Sequence, residues 1–182
     1  MVFYKLLNIT KMKKHIIKTQ CFEELSEESK EKAIENLYDI NVDQEWWLSV
    51  YEDAENIGCK ISAFDIDRGS FCDISFTDSA ISVAESILKE HGEMCETYKA
   101  ATNFIAKWQP VYNDYLDENS EKYESSESED EIIELEDEFL KNLSEDYRIM
   151  LSKESDYLTT KEAIIETIKA NNYEFLETGE LY

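Results

Sequence analysis

Apolar positions recur along this chain at two spacings, and the switches between them outline its elements. Residues 15–22 alternate, with Ile17, Thr19 and Cys21 on one face, as a short strand does. A helix is expected from Ser26. Its hydroxyl suits a cap, Glu27 and Glu28 complement the positive helix end, and Ala33, Ile34, Leu37 and Tyr38 form a stripe. Asp43 stands where a second helix would be capped. Trp46, Trp47, Val50, Tyr51, Ala54 and Ile57 then recur at helical spacing, with Gly58 as the stop. Residues 60–67 and 71–77 alternate with period two around Arg68-Gly69-Ser70, the pattern of a β-hairpin.

Helical spacing returns at Ser79 with Ala80, Val83, Ala84, Ile87 and Leu88, and ends near His91-Gly92. A further helix carries Met94, Tyr98, Ala101, Phe104, Ile105 and Trp108, with Pro110 expected to kink or break it before Tyr112, Tyr115 and Leu116. Residues 117–128 have linker composition. Residues 129–151 return to helical periodicity through Ile132, Leu135, Phe139, Leu143, Tyr147 and Met150. Thr159 and Glu162 form the pattern of a capping box for a last helix through Ala163, Ile164 and Ile168, and residues 173–182 alternate weakly as a strand.

These elements imply an α+β fold, with a small antiparallel sheet covered by helices and two long helices joined by an acidic connection. The expected organisation is a basic, disordered extension over 1–13, an α+β core over 14–116, an acidic linker over 117–128, and a helical part over 129–182. The last part would end in a strand and pack on the core.

Composition supports a packed core: 42% of residues are hydrophobic and 12% aromatic, unlike a disordered acidic chain. Cys21, Cys59, Cys72 and Cys95 are widely spaced, with no C-x-x-C pair and only two His, which argues against a zinc site and for reduced thiols. No apolar run reaches the roughly 18 residues that a bilayer crossing needs. A cytoplasmic protein without membrane contact is therefore expected.

Charge changes the picture most. The chain has 42 acidic and 18 basic residues, a formal net charge of −24, which disfavours direct nucleic-acid binding. Residues 114–138 hold thirteen carboxylates and one basic residue, Lys122. A helix rises about 1.5 Å per residue, and duplex DNA carries one charge per about 1.7 Å of axis. An acidic helix over 129–138 thus approaches duplex charge density and suits a basic groove that normally holds nucleic acid. The expected partner contacts are Asp117, Glu118, Glu121, Glu124, Glu127, Glu129, Asp130, Glu131, Glu134, Asp137 and Glu138. Tyr112, Tyr115 and Tyr123 are the expected aromatic anchors. The competing expectation is a solvated face beside a linker.

Catalytic patterns are sparse. There is no G-x-S-x-G, P-loop or G-x-G-x-x-G. Asp65, Asp67 and Asp73 supply hard oxygens for a metal-dependent nuclease, but such pairs beside a hairpin turn are more often structural. Cys95 follows His91 at helical spacing, but Gly92 intervenes. Trp46 and Trp47 suit core packing better than base stacking. No enzyme activity, cofactor or resident metal is expected.

Several phrases stand out together: Phe22-x-Glu24-Leu25-Ser26-Glu27-Glu28 with Lys30-Glu31-Lys32-Ala33, and Trp46-Trp47-x-x-Val50-Tyr51-Glu52-Asp53-Ala54. Phe64-Asp65-Ile66-Asp67-Arg68-Gly69-Ser70 and Glu166-Thr167-Ile168-x-Ala170-Asn171-x-Tyr173-Glu174-Phe175 complete the set. The set resembles a family of small phage and prophage proteins, whose host would be a bacterial cell, and size and acidity also resemble type II anti-CRISPR proteins. The resemblance implies a stoichiometric inhibitor of host defence, with Cas9 bound to guide RNA as the expected partner. It carries over no individual residues. The same electrostatics would serve an antitoxin-like binder of a basic protein.

Overall fold

The computed structural model describes residues 18–182. The expected disorder of residues 1–13, and the first part of the expected strand over 15–22, lie outside the described residues. The fold is α+β, with six α-helices and two small antiparallel sheets among the described residues. In chain order the elements are β1 (Gln20–Cys21), a 3-10 turn (Phe22–Glu24), α1 (Glu27–Asn36), α2 (Leu48–Asn56), β2 (Cys59–Asp65) and β3 (Phe71–Phe76). They continue with α3 (Ala80–Glu90), α4 (Glu96–Leu116), α5 (Ser126–Leu158), α6 (Lys161–Ala170) and β4 (Glu174–Phe175). Among the described residues, no helix is long and apolar enough to cross a membrane.

Two compact units divide the chain. One joins the N-terminal part up to Ile40 with Lys161–Tyr182; the other is Asn41–Thr160. The boundaries therefore fall at 40/41 and 160/161, whereas composition had suggested divisions at 116 and 129.

In the first unit, β1 pairs antiparallel with β4, Gln20 opposite Phe175 and Cys21 opposite Glu174. The expected first strand therefore pairs with the C-terminal segment, and the hairpin forms a sheet of its own. Phe22, Leu25, Ala33, Ile34, Ile164, Ile168 and Phe175 make this unit's core. Ser26 caps α1 as expected: its Oγ accepts the Ser29 N–H at 3.2 Å, while the Ser29 hydroxyl donates to the Glu177 carbonyl at 2.7 Å. That contact brings the turn at Gly179 against α1. Gly179 has φ +82°, and a Cβ there would collide with the Ser29 carbonyl. Gly179→Ala is therefore expected to destabilise the unit by about 2 kcal/mol or more. A fall in the urea midpoint checks this, and an unchanged midpoint would show that the turn is not held in this conformation.

The second unit is built on the α4–α5 pair and the β2–β3 hairpin. The hairpin pairs Cys59 with Phe76 and Asp65 with Phe71, and a bulge between Ile61 and Ala63 breaks strict alternation. Its inward residues Cys59, Ile61 and Cys72 join Val83, Ala84 and Ile87 of α3, Ala101, Phe104 and Trp108 of α4, and Phe139, Leu143, Tyr147 and Leu151 of α5. Phe139 stacks face to face on Phe104, with centroids 4.4 Å apart, and on Phe76 at 5.8 Å. All four cysteines are free thiols; burial pushes Cys59 up to about 12 and Cys72 up to about 11.

Several local expectations change. Asp43 does not cap α2, which starts at Leu48; residues 37–47 run through turns that bring Trp46 and Trp47 each 5.6 Å from the Phe64 ring. Periodicity alone does not separate such an aromatic turn from a helix. Gly58 does stop α2, with φ +84°. Met94 precedes α4 and is 85% exposed. The α4 helix continues through Pro110, because that proline and Ala106, whose carbonyl loses its donor, lie on the exposed side where solvent can serve the carbonyl. Thr159 closes α5, its hydroxyl placed to donate to the carbonyls of Ser155 and Asp156, and α6 starts at Lys161.

Candidate functional site

The acidic stretch begins as a hydrogen-bonded connection. Ser120 N–H donates to the Asp117 carbonyl at 2.8 Å, Glu124 N–H to that of Tyr115 at 3.0 Å, and Ser125 N–H to that of Lys122 at 3.2 Å. Asn119 donates to Asp117 Oδ1 through its backbone and side chain, and these bonds hold the Asp117 carboxyl below the usual range. Glu124 takes a left-handed conformation, φ +44°. The linker expected to end at 128 ends at Ser125, whose Oγ accepts the Ser128 N–H at 3.2 Å and starts α5 at Ser126. Ser128 is fully buried. The signal was in the sequence: a serine followed by Glu127 and Glu129 in the first helical turn.

The carboxylates on α5 fall into two sets. Glu131 pairs with Lys122 at 3.6 Å, Glu138 with Lys107 at 3.2 Å, and Glu136 accepts from the Trp108 indole at 3.3 Å. These tie the helix to α4 and to the connection. Glu127, Glu129, Asp130, Glu134 and Asp137 are exposed. With about 100° of rotation per residue, Asp130, Glu134 and Asp137 point away from Phe139. Glu127 to Glu138 spans about 16 Å of axis with a carboxylate about every 2 Å.

Ile133 lies among these charges and is 50% exposed. Sequence reasoning gave it no role, since the buried stripe was read through Ile132 and Leu135, although its place between Glu129 and Asp137, four residues away on either side, sets it outward. Glu118 and Glu121 of the connection are also exposed. The tyrosines behave differently from one another. Tyr112 stacks on Trp108 at 4.3 Å and Tyr115 follows at 6.5 Å, so both are half-buried parts of a ring ladder. Tyr123 is 39% exposed, and the charge of Glu124 pushes its hydroxyl upward.

The hairpin acids do not converge. Asp65 accepts backbone N–H groups of Asp67, Arg68 and Gly69 at 2.8–3.3 Å, which shapes the turn, and Asp73 lies opposite Ala63. Among the described residues, no group of three or more His, Cys, Asp or Glu is placed to hold a metal.

A second constellation is assembled from distant positions. His91, at the end of α3, approaches Thr97 Oγ1 through Nδ1 at 2.7 Å and faces Asp53 Oδ1 through Nε2 at 3.6 Å. The latter distance is an electrostatic contact and too long for a hydrogen bond, so Nε2 is buried without one, a state that costs about 1–3 kcal/mol. Tyr147 donates to the other Asp53 oxygen at 2.8 Å. The His91 ring, aided by Tyr147, holds the Asp53 carboxyl below its ordinary range against the opposing effect of burial. Thr97 is 4% exposed, which removes its hydroxyl from any nucleophilic role. Cys95 is exposed and caps α4 by position, so its pairing with His91 gives way to the histidine's contacts with Thr97 and Asp53.

Asp146 has the opposite shift. Burial raises its carboxyl, and Glu96 and Glu145 add to the rise. A folded value above the unfolded one gives stability at pH below the unfolded value and loses it as pH rises through the folded one, so at neutral pH Asp146 is a net cost. Asp53 works in the other direction: its contribution is present above the unfolded value and lost as pH falls through the depressed one. Asp146→Asn is expected to raise the melting temperature at pH 7, with the gain disappearing below about pH 3 where both forms are neutral. Equal melting at pH 7 would show that the carboxylate is fully solvated.

No protein family matches this chain, and no characterised protein or solved structure matches it.

Proposed function

We propose that this protein is a non-catalytic binder of a basic, nucleic-acid-binding protein, with the outward face of α5 as its contact surface. The supporting observation is a helix anchored by a buried stripe that carries Glu127, Glu129, Asp130, Glu134 and Asp137 outward around half-exposed Ile133. Charges fixed on a helix pay little ordering entropy on binding, unlike charges on a mobile segment. Their axial spacing, one per about 3–4 Å, is close to that of the phosphates along one strand of a duplex, so a groove lined by Lys and Arg can pair with them as it pairs with nucleic acid. Ile133 supplies an apolar contact within the charged rim, the usual arrangement of an interface anchor.

The resemblance to phage proteins directs this reading to a host-defence effector in a bacterial cell. Cas9 with guide RNA holds its nucleic acid in a positively charged channel and is the leading partner. Reconstituted cleavage tests this directly. Added before target DNA, the protein is expected to block cleavage; added after the target is bound, it is expected to have much less effect. Full cleavage in both orders, with no complex on size exclusion, would reject Cas9 as the partner.

A further inference from the structure

The β2–β3 hairpin is a sheet of two strands, so one long side of β3 has no strand beside it among the described residues. The register tells which backbone groups face that side. Thr77 N–H donates to the Gly58 carbonyl at 2.9 Å, which makes Gly58 and Thr77 a hydrogen-bonded pair. Such pairs alternate with non-bonded ones along an antiparallel ladder. Lys60 with Ser75 is then bonded, whereas Cys59 with Phe76 and Ile61 with Ile74 are not. Phe76, Ile74 and Cys72 therefore turn their N–H and C=O groups away from β2. The Ser144 hydroxyl agrees with this parity, because it donates to the Cys72 carbonyl from α5. Ile74 is half-buried, and its outward N–H and C=O have no partner among the described residues. Backbone groups left so are costly and ready to pair.

A groove of about 470 Å³ runs along this edge. Asp73 and Ile74 of β3 form one wall, and Asp137, Leu140, Lys141 and Ser144 on the flank of α5 form the other. Leu140 is half-buried, and the three charged side chains are exposed. From Cys72 to Phe76 the strand advances about 13 Å, the length of a short extended segment. Only an extended backbone carries donors and acceptors at the spacing of β3. A second copy of this chain would bring another net charge of −24 to the same place, which disfavours it. Asp73 and Asp137 outnumber Lys141, so positive side chains complement the groove. We propose that the groove takes an extended segment of a partner polypeptide, added as a third strand beside β3 and alternating apolar with basic residues. Its apolar side chains lie over Leu140, and its basic ones stand beside Asp73 on the opposite face of the enlarged sheet. Its backbone bonds Ile74 and Phe76, and Ser144 ends the pairing at the Cys72 carbonyl. Asp137 also belongs to the outward face of α5, but the pairing groups are those of β3, and the inference does not rest on the function proposed for that face.

Amide-resolved NMR on the whole protein tests this with acetyl-Lys-Val-Lys-Val-Lys-amide. The peptide is expected to shift the Ile74 amide saturably and to slow its hydrogen exchange at least about tenfold. Two N-methylated peptides then report the mode, one methylated on both valine nitrogens and one on the second and third lysine nitrogens. In an extended strand these two sets of N–H groups point to opposite edges, so only one set can face β3. One peptide is expected to bind at least about tenfold more weakly and the other to match the parent. Loss on the valines assigns an antiparallel third strand, and loss on the lysines a parallel one. Asp73→Lys, at an exposed position, is expected to weaken the parent peptide about fivefold without unfolding the protein. Equal affinity of the two methylated peptides would reduce the contact to charge and overturn strand addition. Ile74 protection that rises with the concentration of the protein alone would overturn the partner segment in favour of a second copy. No saturable shift of Ile74 would overturn the groove. Asp73 and Ile74 lie outside α5, so failure here leaves the proposal for the α5 face standing.

Discussion

Replacing Glu127, Glu129, Asp130, Glu134 and Asp137 together by lysine is expected to lower partner affinity at least about 100-fold while leaving the fold intact. These five carboxylates are exposed, whereas Glu131, Glu136 and Glu138 are engaged by Lys122, Trp108 and Lys107 and are left untouched by the variant. Against a basic groove each reversal exchanges attraction for repulsion, and several such contacts together cost several kcal/mol. Stability should hold, because relief of part of a net charge of −24 offsets the loss of Glu127 and Glu129 from the positive end of α5. Native binding should also weaken steeply between low and high salt. The measurement is a binding isotherm at two salt concentrations beside a thermal melt. Unchanged affinity in a folded variant would remove the α5 face as the contact surface. Ile133→Asp refines the result, since loss of binding there assigns an apolar anchor in addition to charge.

The opposite outcome is expected one turn away on the same helix. Phe139 is 1% exposed and lies between the Phe104 ring on α4 and the Phe76 ring on β3. Phe139→Ala removes both stacked contacts and leaves a cavity where α4, α5 and the hairpin meet, at a cost of about 3–5 kcal/mol. Small domains hold about 5–15 kcal/mol in total, so the variant should be partly unfolded at physiological temperature. Urea titration should give a much lower midpoint at similar slope. Phe139→Leu keeps most of the volume and should lose far less. A midpoint for the alanine variant within error of the native value would place the core elsewhere. Together the two substitutions separate recognition from folding on one element.

Much of the fold was legible because local chemistry and tertiary packing agree. Ser26 and Ser79 each cap the helix that periodicity places after them, and Gly58 ends α2 in the left-handed conformation only a glycine takes freely. Agreement failed where an aromatic contact decided the backbone, as at Trp46 and Trp47 on Phe64, and where solvent rescued a broken bond, as at Pro110. It failed again at Ser125, because a run rich in serine and glutamate reads equally as linker or helix start. The acidic face was visible as composition; which carboxylates are internally paired was not, since Lys107 and Trp108 lie far away in sequence. The Asp53–His91–Thr97–Tyr147 constellation was invisible for the same reason. It draws on α2, the end of α3, α4 and α5, and no short motif records that meeting.

The pairing of β1 with β4 has a consequence for synthesis. Every residue of the Asn41–Thr160 unit is contiguous, so its core can close while the later chain is still being made. The other unit draws Phe22, Leu25 and Ile34 from before that insertion and Ile164, Ile168 and Phe175 from after it. Its early half must wait, with apolar side chains unburied, until more than a hundred intervening residues have been translated. In the folded contiguous unit the Asn41 side-chain amide donates to the Leu158 carbonyl at 2.9 Å, so its two ends lie together and the entropy of joining the flanking halves is lower than for a free chain of that length. Folding of the contiguous unit thus shortens the loop the split unit must close, and slowing its collapse should expose the flanking halves to chaperones and proteases for longer.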